Sequence, residues 1–131
     1  MIVVDSSALV AILEEESEAA VFLHLVGESG RRLASAVTVY ETGIVMTFRR
    51  GHEGVDDVFA LIDELGLEIV PFAEPQVLAA LSAYRRYGKG INSKSQLNLG
   101  DCVAYALAKS TNAPLLFKGD DFPQTDVARC A

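Results

Sequence analysis

Short, uniformly apolar runs alternate along this chain with longer runs of helical period, and that alternation limits the fold more than any other feature. IVV (2–4) leads straight into SSALVAIL, with Ser6 or Ser7 able to cap the helix, and SEAAVFLHLVGE (17–28) repeats apolar residues at helical spacing. RRLASAV (31–37) reads as a second strand. TVYETGIVMTFRRG (38–51) and VDDVFALIDELG (55–66) read as helices stopped by Gly51 and Gly66, and LEIVPF (67–72) as a strand stopped by Pro71. PQVLAALSAYRRYG (75–88) is a further helix, GKGINSKSQLNLG a polar loop, GDCVAYALAKST a small-residue helix, APLLFKG a strand and GDDFPQTD a turn. Strands separated by helices predict an α/β fold with a mostly parallel sheet covered on both faces. No linker or repeat divides the chain, so residues 1–131 are expected to form one three-layer α/β/α domain.

Half of the 131 residues are hydrophobic and 22% are charged, enough apolar material for a buried core. No apolar run approaches the roughly 20 residues of a membrane span, and no signal-peptide pattern opens the chain, so a cytoplasmic protein without a membrane partner is expected. Cys102 and Cys130 make neither a disulfide framework nor a zinc-ligand spacing. His24 and His52 lack a metal-ligand or carboxylate neighbour pattern. The net charge of −7 argues against nucleic acid, yet Arg85, Arg86, Lys89 and Lys94 fall in a stretch, 75–100, that has no acid. That segment is either a solvated helix end matched to the helix dipole or a surface for a polyanion.

Asp5 breaks an apolar run at the tip of a strand that should be buried. In open parallel sheets ligands bind beyond the carboxyl ends of the strands. Asp5 lies there; Glu41 lies one turn into the helix after the second strand; Asp101 opens the helix before the last strand; Asp120 and Asp121 follow that strand. Each has a local explanation: Asp5 as a helix cap, Thr38-x-x-Glu41 as a capping box, Asp101 as a dipole partner, Gly119-Asp120-Asp121 as a turn. Together they form a rim of acids, and carboxylates ~4 Å apart repel by roughly 4 kcal/mol at an effective dielectric of 20. A cation should sit among them. With oxygen donors only, Mg²⁺ or Mn²⁺ fits better than zinc, and such ions serve phosphodiester hydrolysis. Arg85, Arg86 and Lys89 would then hold the polyanion.

VDSSALVAIL, SAVTVYETGIV, AYRRYGKG, LNLGDCVAYALAK and PLLFKGDDFPQTDV, in this order and over nearly the whole chain, resemble a PIN-domain ribonuclease toxin of the VapC family. The resemblance implies metal-binding and catalytic roles for Asp5, Glu41 and Asp101, with the fourth acid at Asp120 or Asp121. The small hydroxyl after the first aspartate, often Thr in the family, is Ser6 here, and Ser7 matches the usual serine; both are placed with the substrate. It also implies a sheet of about five strands, Mg²⁺-dependent hydrolysis of RNA (transfer or ribosomal), a homodimer, and a cognate VapB antitoxin through which alone the toxin meets DNA. Apolar residues in excess of one stripe in SEAAVFLHLV and VYETGIVMTF, Met46 and Phe48 among them, would serve the core, a dimer face or an antitoxin groove. The alternative is a PIN-like interaction or regulatory module without activity, and deoxyribonuclease activity is a further possibility. A signalling receiver is disfavoured because LEIVPF ends without an acceptor aspartate, and an aspartyl-phosphate hydrolase because Ser7 stands where its second aspartate would be.

Overall fold

The structure is a computed structural model and describes residues 1–130; Ala131, the last residue of the expected domain, lies outside the described residues. The elements follow as β1 (Ile2–Val4), α1 (Ser6–Leu13), α2 (Ala19–Gly27), β2 (Arg32–Ser35), α3 (Ala36–Arg50), α4 (His52–Leu65), β3 (Glu68–Val70), α5 (Glu74–Tyr87), α6 (Leu99–Thr111) and β4 (Leu115–Leu116). A single 3₁₀ turn, Phe122–Gln124, follows β4. The strands form one parallel sheet in the order β3-β2-β1-β4.

Side-chain alternation on the strands assigns the layers. Ile2, Val4, Ala34 and Leu116 face one way and pack with Leu9, Ile12, Val26, Met46, Val58 and Ile62 of α1 to α4. Val3, Leu33 and Leu115 face the other way and meet Ala80 and Ala83 of α5 and the small-residue face of α6. The three-layer α/β/α reading therefore holds.

Among the described residues the sheet has four strands rather than about five. Beyond β4 lies one isolated bridge, Leu115↔Arg129, in which the Leu115 N–H donates to Ala128 O and the Cys130 N–H to Leu115 O.

Three helix starts are fixed by their caps. Asp5, not Ser6 or Ser7, is the cap of α1; it accepts the Ser7 N–H, and both serines lie inside the first turn. Ser35 caps α3 by accepting from the Val37 N–H, so RRLASAV changes from strand to helix two residues early and Thr38-x-x-Glu41 is not a capping box. α6 begins with a true capping box, Asn98 with Asp101. The stops at Gly51 and Gly66 are as expected; Gly66 takes the left-handed conformation (φ 63°) in which a side chain is disfavoured. Met46 is fully buried, whereas Phe48 is 90% exposed.

Candidate functional site

The acidic site is built from segment ends. Asp5 follows β1, its own N–H tied to Leu116 O at 3.0 Å across the sheet. Its Oδ2 accepts the Ser7 N–H at 3.0 Å and the Ser7 hydroxyl at 2.6 Å. Ser7 Oγ also accepts the Lys118 N–H at 2.9 Å, joining the ends of β1 and β4. Oδ1 of Asp5 is buried and has no hydrogen-bond partner, a costly state for a carboxylate oxygen. Burial pushes the Asp5 carboxyl up to about 6; the Ser7 bonds oppose that rise and the charge of Glu41 adds to it.

Glu41 comes from the second turn of α3, where its Oε1 accepts the Ser6 hydroxyl at 2.8 Å. Its carboxylate lies against Gly100 at the start of α6, so closely that a Cβ at position 100 would overlap it. Asp101, the next residue, accepts the Asn98 N–H at 3.0 Å while its own N–H donates to Asn98 Oδ1 at 2.8 Å. Burial raises the Asp101 carboxyl to about 7 against the Asn98 bond, and the charges of Asp5, Asp121 and Glu41 raise it further. Four expected acids thus share one rim. Asp121 is among the charges acting on Asp101.

No ion pair among the described residues involves any of the five acids. Lys118, the cation nearest in sequence, pairs instead with Glu16 (2.9 Å) and Glu18 (3.2 Å). An orphaned, buried carboxylate oxygen inside an unneutralised acidic rim suits a hard divalent cation. Among the described residues no three His, Cys, Asp or Glu side chains stand as a ready-made cage. A partial donor set of this kind fits Mg²⁺, which keeps several waters and takes only one or two carboxylates. Cys102, beside Asp101, is held as a thiol: burial and the Asp101 charge push it up to about 11, which disfavours a nucleophilic role.

Ser6 and Ser7 spend their hydroxyls on Glu41 and Asp5 rather than facing solvent unpaired. The basic segment divides. Arg85, Lys89 and Lys94 enter no ion pair among the described residues. Arg86 donates to the Tyr87 hydroxyl, lies 4.8 Å over that ring and pairs with Asp126 at 3.8 Å. Sequence reasoning missed Asn98 and Gly100, although Asn98-x-x-Asp101 carries the spacing of a capping box.

The PIN domain family model matches residues 2–128. The chain is 41% identical over 129 residues to Ribonuclease VapC30 of Mycobacterium tuberculosis, covering 98% of both chains. It is 43% identical over 126 residues to Ribonuclease VapC of Mycolicibacterium smegmatis, covering 96% of this chain and 97% of that one. In fold it is similar to VapC20 of Mycobacterium tuberculosis, described as a sarcin-ricin loop cleaving toxin, at a TM-score of 0.78 and 14% identity over 98% and 97% of the two chains. VapBC2 of Rickettsia felis, bound to a DNA fragment from its promoter, matches at a TM-score of 0.73 and 15% identity over 98% and 96%. A PIN match over nearly the whole chain and full-length relatives named VapC ribonucleases place this protein in the VapC family of PIN-domain ribonuclease toxins.

Proposed function

We propose that the protein is a Mg²⁺-dependent endoribonuclease, with Mn²⁺ as a substitute ion, acting in the cytoplasm as the toxin of a type II toxin-antitoxin pair. The observation that carries this reading is the orphaned Oδ1 of Asp5 within a rim of acids that no Lys or Arg neutralises. Asp5, Glu41 and Asp101 would hold the ion, one or two of them directly and the rest through its waters, with Asp121 favoured over Asp120 as the fourth acid by its action on Asp101. When bound, the ion supplies electrophilic stabilisation and water activation for phosphodiester hydrolysis.

The chain's own residues supply orientation. Ser6 fixes the Glu41 carboxylate, Ser7 fixes Asp5 and ties it to the Lys118 backbone, and the Asn98 cap fixes Asp101. Protons held by Asp5 and Asp101 near neutral pH leave as the ion binds, so occupancy is pH-linked. Arg85 and Lys89, free of ion pairs, are suited to RNA phosphates, with Arg86 beside them held by Asp126.

Exposed apolar side chains support two protein partners, a second copy of the chain and a VapB-type antitoxin through which DNA is met. Tyr40, Ile44, Phe48 and Phe59 on α3 and α4, with Leu78, Leu81 and Leu99 on α5 and α6, are all exposed. No helix among the described residues is long and apolar enough to cross a membrane. The deciding experiment incubates total cellular RNA with purified, antitoxin-free protein in Mg²⁺ or EDTA, beside Asp5→Asn and Asp101→Asn. Metal-dependent fragments that vanish in both variants are expected, and their ends distinguish transfer from ribosomal RNA. Absence of cleavage by folded protein in any divalent ion overturns the reading in favour of an inactive interaction module.

A further inference from the structure

Asp126 belongs to none of the acids on the rim, yet it receives more partners than any of them. The hydroxyl of Tyr105, a buried side chain on α6, donates to its Oδ1. Lys109 Nζ, one turn further along α6, lies 3.2 Å from Oδ2, and Arg86 at the end of α5 lies 3.8 Å away. The Tyr105 ring meets Tyr87 edge-on at 5.6 Å. One carboxylate therefore joins α5, α6 and the segment after β4.

The placement of Tyr105 gives this junction its meaning. Tyr105 and Asp101 are four residues apart on α6 and so share one helix face. The segment that Tyr105 grips through Asp126 also carries Asp121, the acid whose charge reaches Asp101. Between the two, Phe122 is buried and packs on Phe117 at 5.0 Å, and the Thr125 N–H bonds to Phe122 O. The turn is thus fixed on both sides of Asp121: by Lys118 to Ser7 before it, and by Asp126 to Tyr105 after it.

We propose that Asp126 and Tyr105 form a latch that sets Asp121 opposite Asp101, making both of them positioning residues for the metal-dependent reaction. The proposal rests on the functional reading above. Partners standing behind metal ligands typically contribute 10–100-fold to metal affinity or activity, and among the described residues Asp126 is the one acid on this side of the turn tied to the helices, by Tyr105, Lys109 and Arg86.

The test uses Tyr105→Phe, Asp126→Ala and Asp126→Asn, with Arg32→Ala as a destabilised control. Arg32 donates to the Gly27, Ser29 and Leu65 carbonyls at the opposite end of β2. Hydrogen exchange of the Lys118 and Thr125 amides is measured without metal, and Mn²⁺ binding is measured by calorimetry without RNA. Faster exchange at both amides and Mn²⁺ affinity weaker by about tenfold are expected in Tyr105→Phe and Asp126→Ala. Asp126→Asn keeps a carbonyl acceptor for the tyrosine hydroxyl and should retain most of both properties. Arg32→Ala should lower thermal stability and change neither. Unchanged exchange in Tyr105→Phe overturns the latch whatever the metal result, and faster exchange with wild-type Mn²⁺ affinity overturns its link to the acidic site. Wild-type protein that binds Mn²⁺ but cuts no RNA overturns the nuclease reading instead.

Discussion

The Ser6 hydroxyl donates to Glu41 Oε1 at 2.8 Å across a separation of 35 residues, so the first turn of α1 aims a carboxylate that belongs to α3. A side chain expected to face substrate is engaged in orienting an acid. Ser6→Ala should cost on the order of 1 kcal/mol of stability in urea unfolding. It should also lower the cleavage rate by about tenfold, since a group that orients a ligand acts from behind it. Cleavage at the wild-type rate would show that Glu41 needs no such aim.

Gly100 supplies the opposite face of the same carboxylate. Gly100→Ala replaces glycine inside a helix, which favours α6 by up to about 1 kcal/mol, while the new methyl displaces the Glu41 carboxylate. The expected outcome is a protein as stable as wild type by thermal melting that has lost at least about tenfold in RNA cleavage. Retained cleavage would separate Glu41 from the reaction.

The raised carboxyls of Asp5 and Asp101 set the pH response of the metal-free protein. Their folded values, about 6 and about 7, lie above the ordinary 3.8, so between about pH 4 and 7 the folded chain keeps protons that the unfolded chain releases. Stability from these groups is therefore greatest at low pH and falls as pH rises through that window. Melting in EDTA should give a higher Tm at pH 5 than at pH 8. Saturating Mg²⁺ should reverse the trend, because it binds the ionised form.

Asp101→Asn isolates one of these groups. The amide oxygen can still accept the Asn98 N–H, so the α6 cap survives, while a charge leaves the crowded rim. The variant should cut no RNA, melt higher than wild type at pH 8 without metal, and show a shallower dependence of Tm on pH. Residual cleavage at wild-type rate would remove Asp101 from the site.

Arg85 has no ion pair among the described residues, and Arg85→Ala should weaken RNA binding and reduce the slope of log affinity against log salt by about 1. Affinity for Mn²⁺ measured alone should not change. An unaltered salt slope would remove Arg85 from the RNA surface.

Much of this architecture is legible in residue order because strands and helices write different periods, and a glycine such as Gly66 marks a stop by what its backbone must do. The β2–α3 boundary is less legible: Ala36 and Val37 suit either period, and only the Ser35 cap decides between them. Met46 and Phe48, two positions apart on α3, read alike as apolar residues, and packing against α1 and α4 buries only the first. Asp5, Glu41 and Asp101 could be found because strand ends and helix starts collect on one edge of a parallel sheet. The Tyr105–Asp126 contact could not, since its partners are 21 residues apart and neither spacing nor composition joins them.

Asp5 divides its two oxygens between tasks, Oδ2 starting α1 and Oδ1 left without a partner. Selection on these two tasks is separable. A descendant that had given up cutting RNA would still be penalised for losing the aspartate, because its first helix would lose about 1 kcal/mol of capping. Glu41 caps no helix, and the part-buried Ser6 hydroxyl it accepts can turn to water once the glutamate is gone, so drift would reach it sooner. In comparing relatives, the glutamate is therefore the more telling witness to a living enzyme, and the aspartate alone testifies only to a folded one.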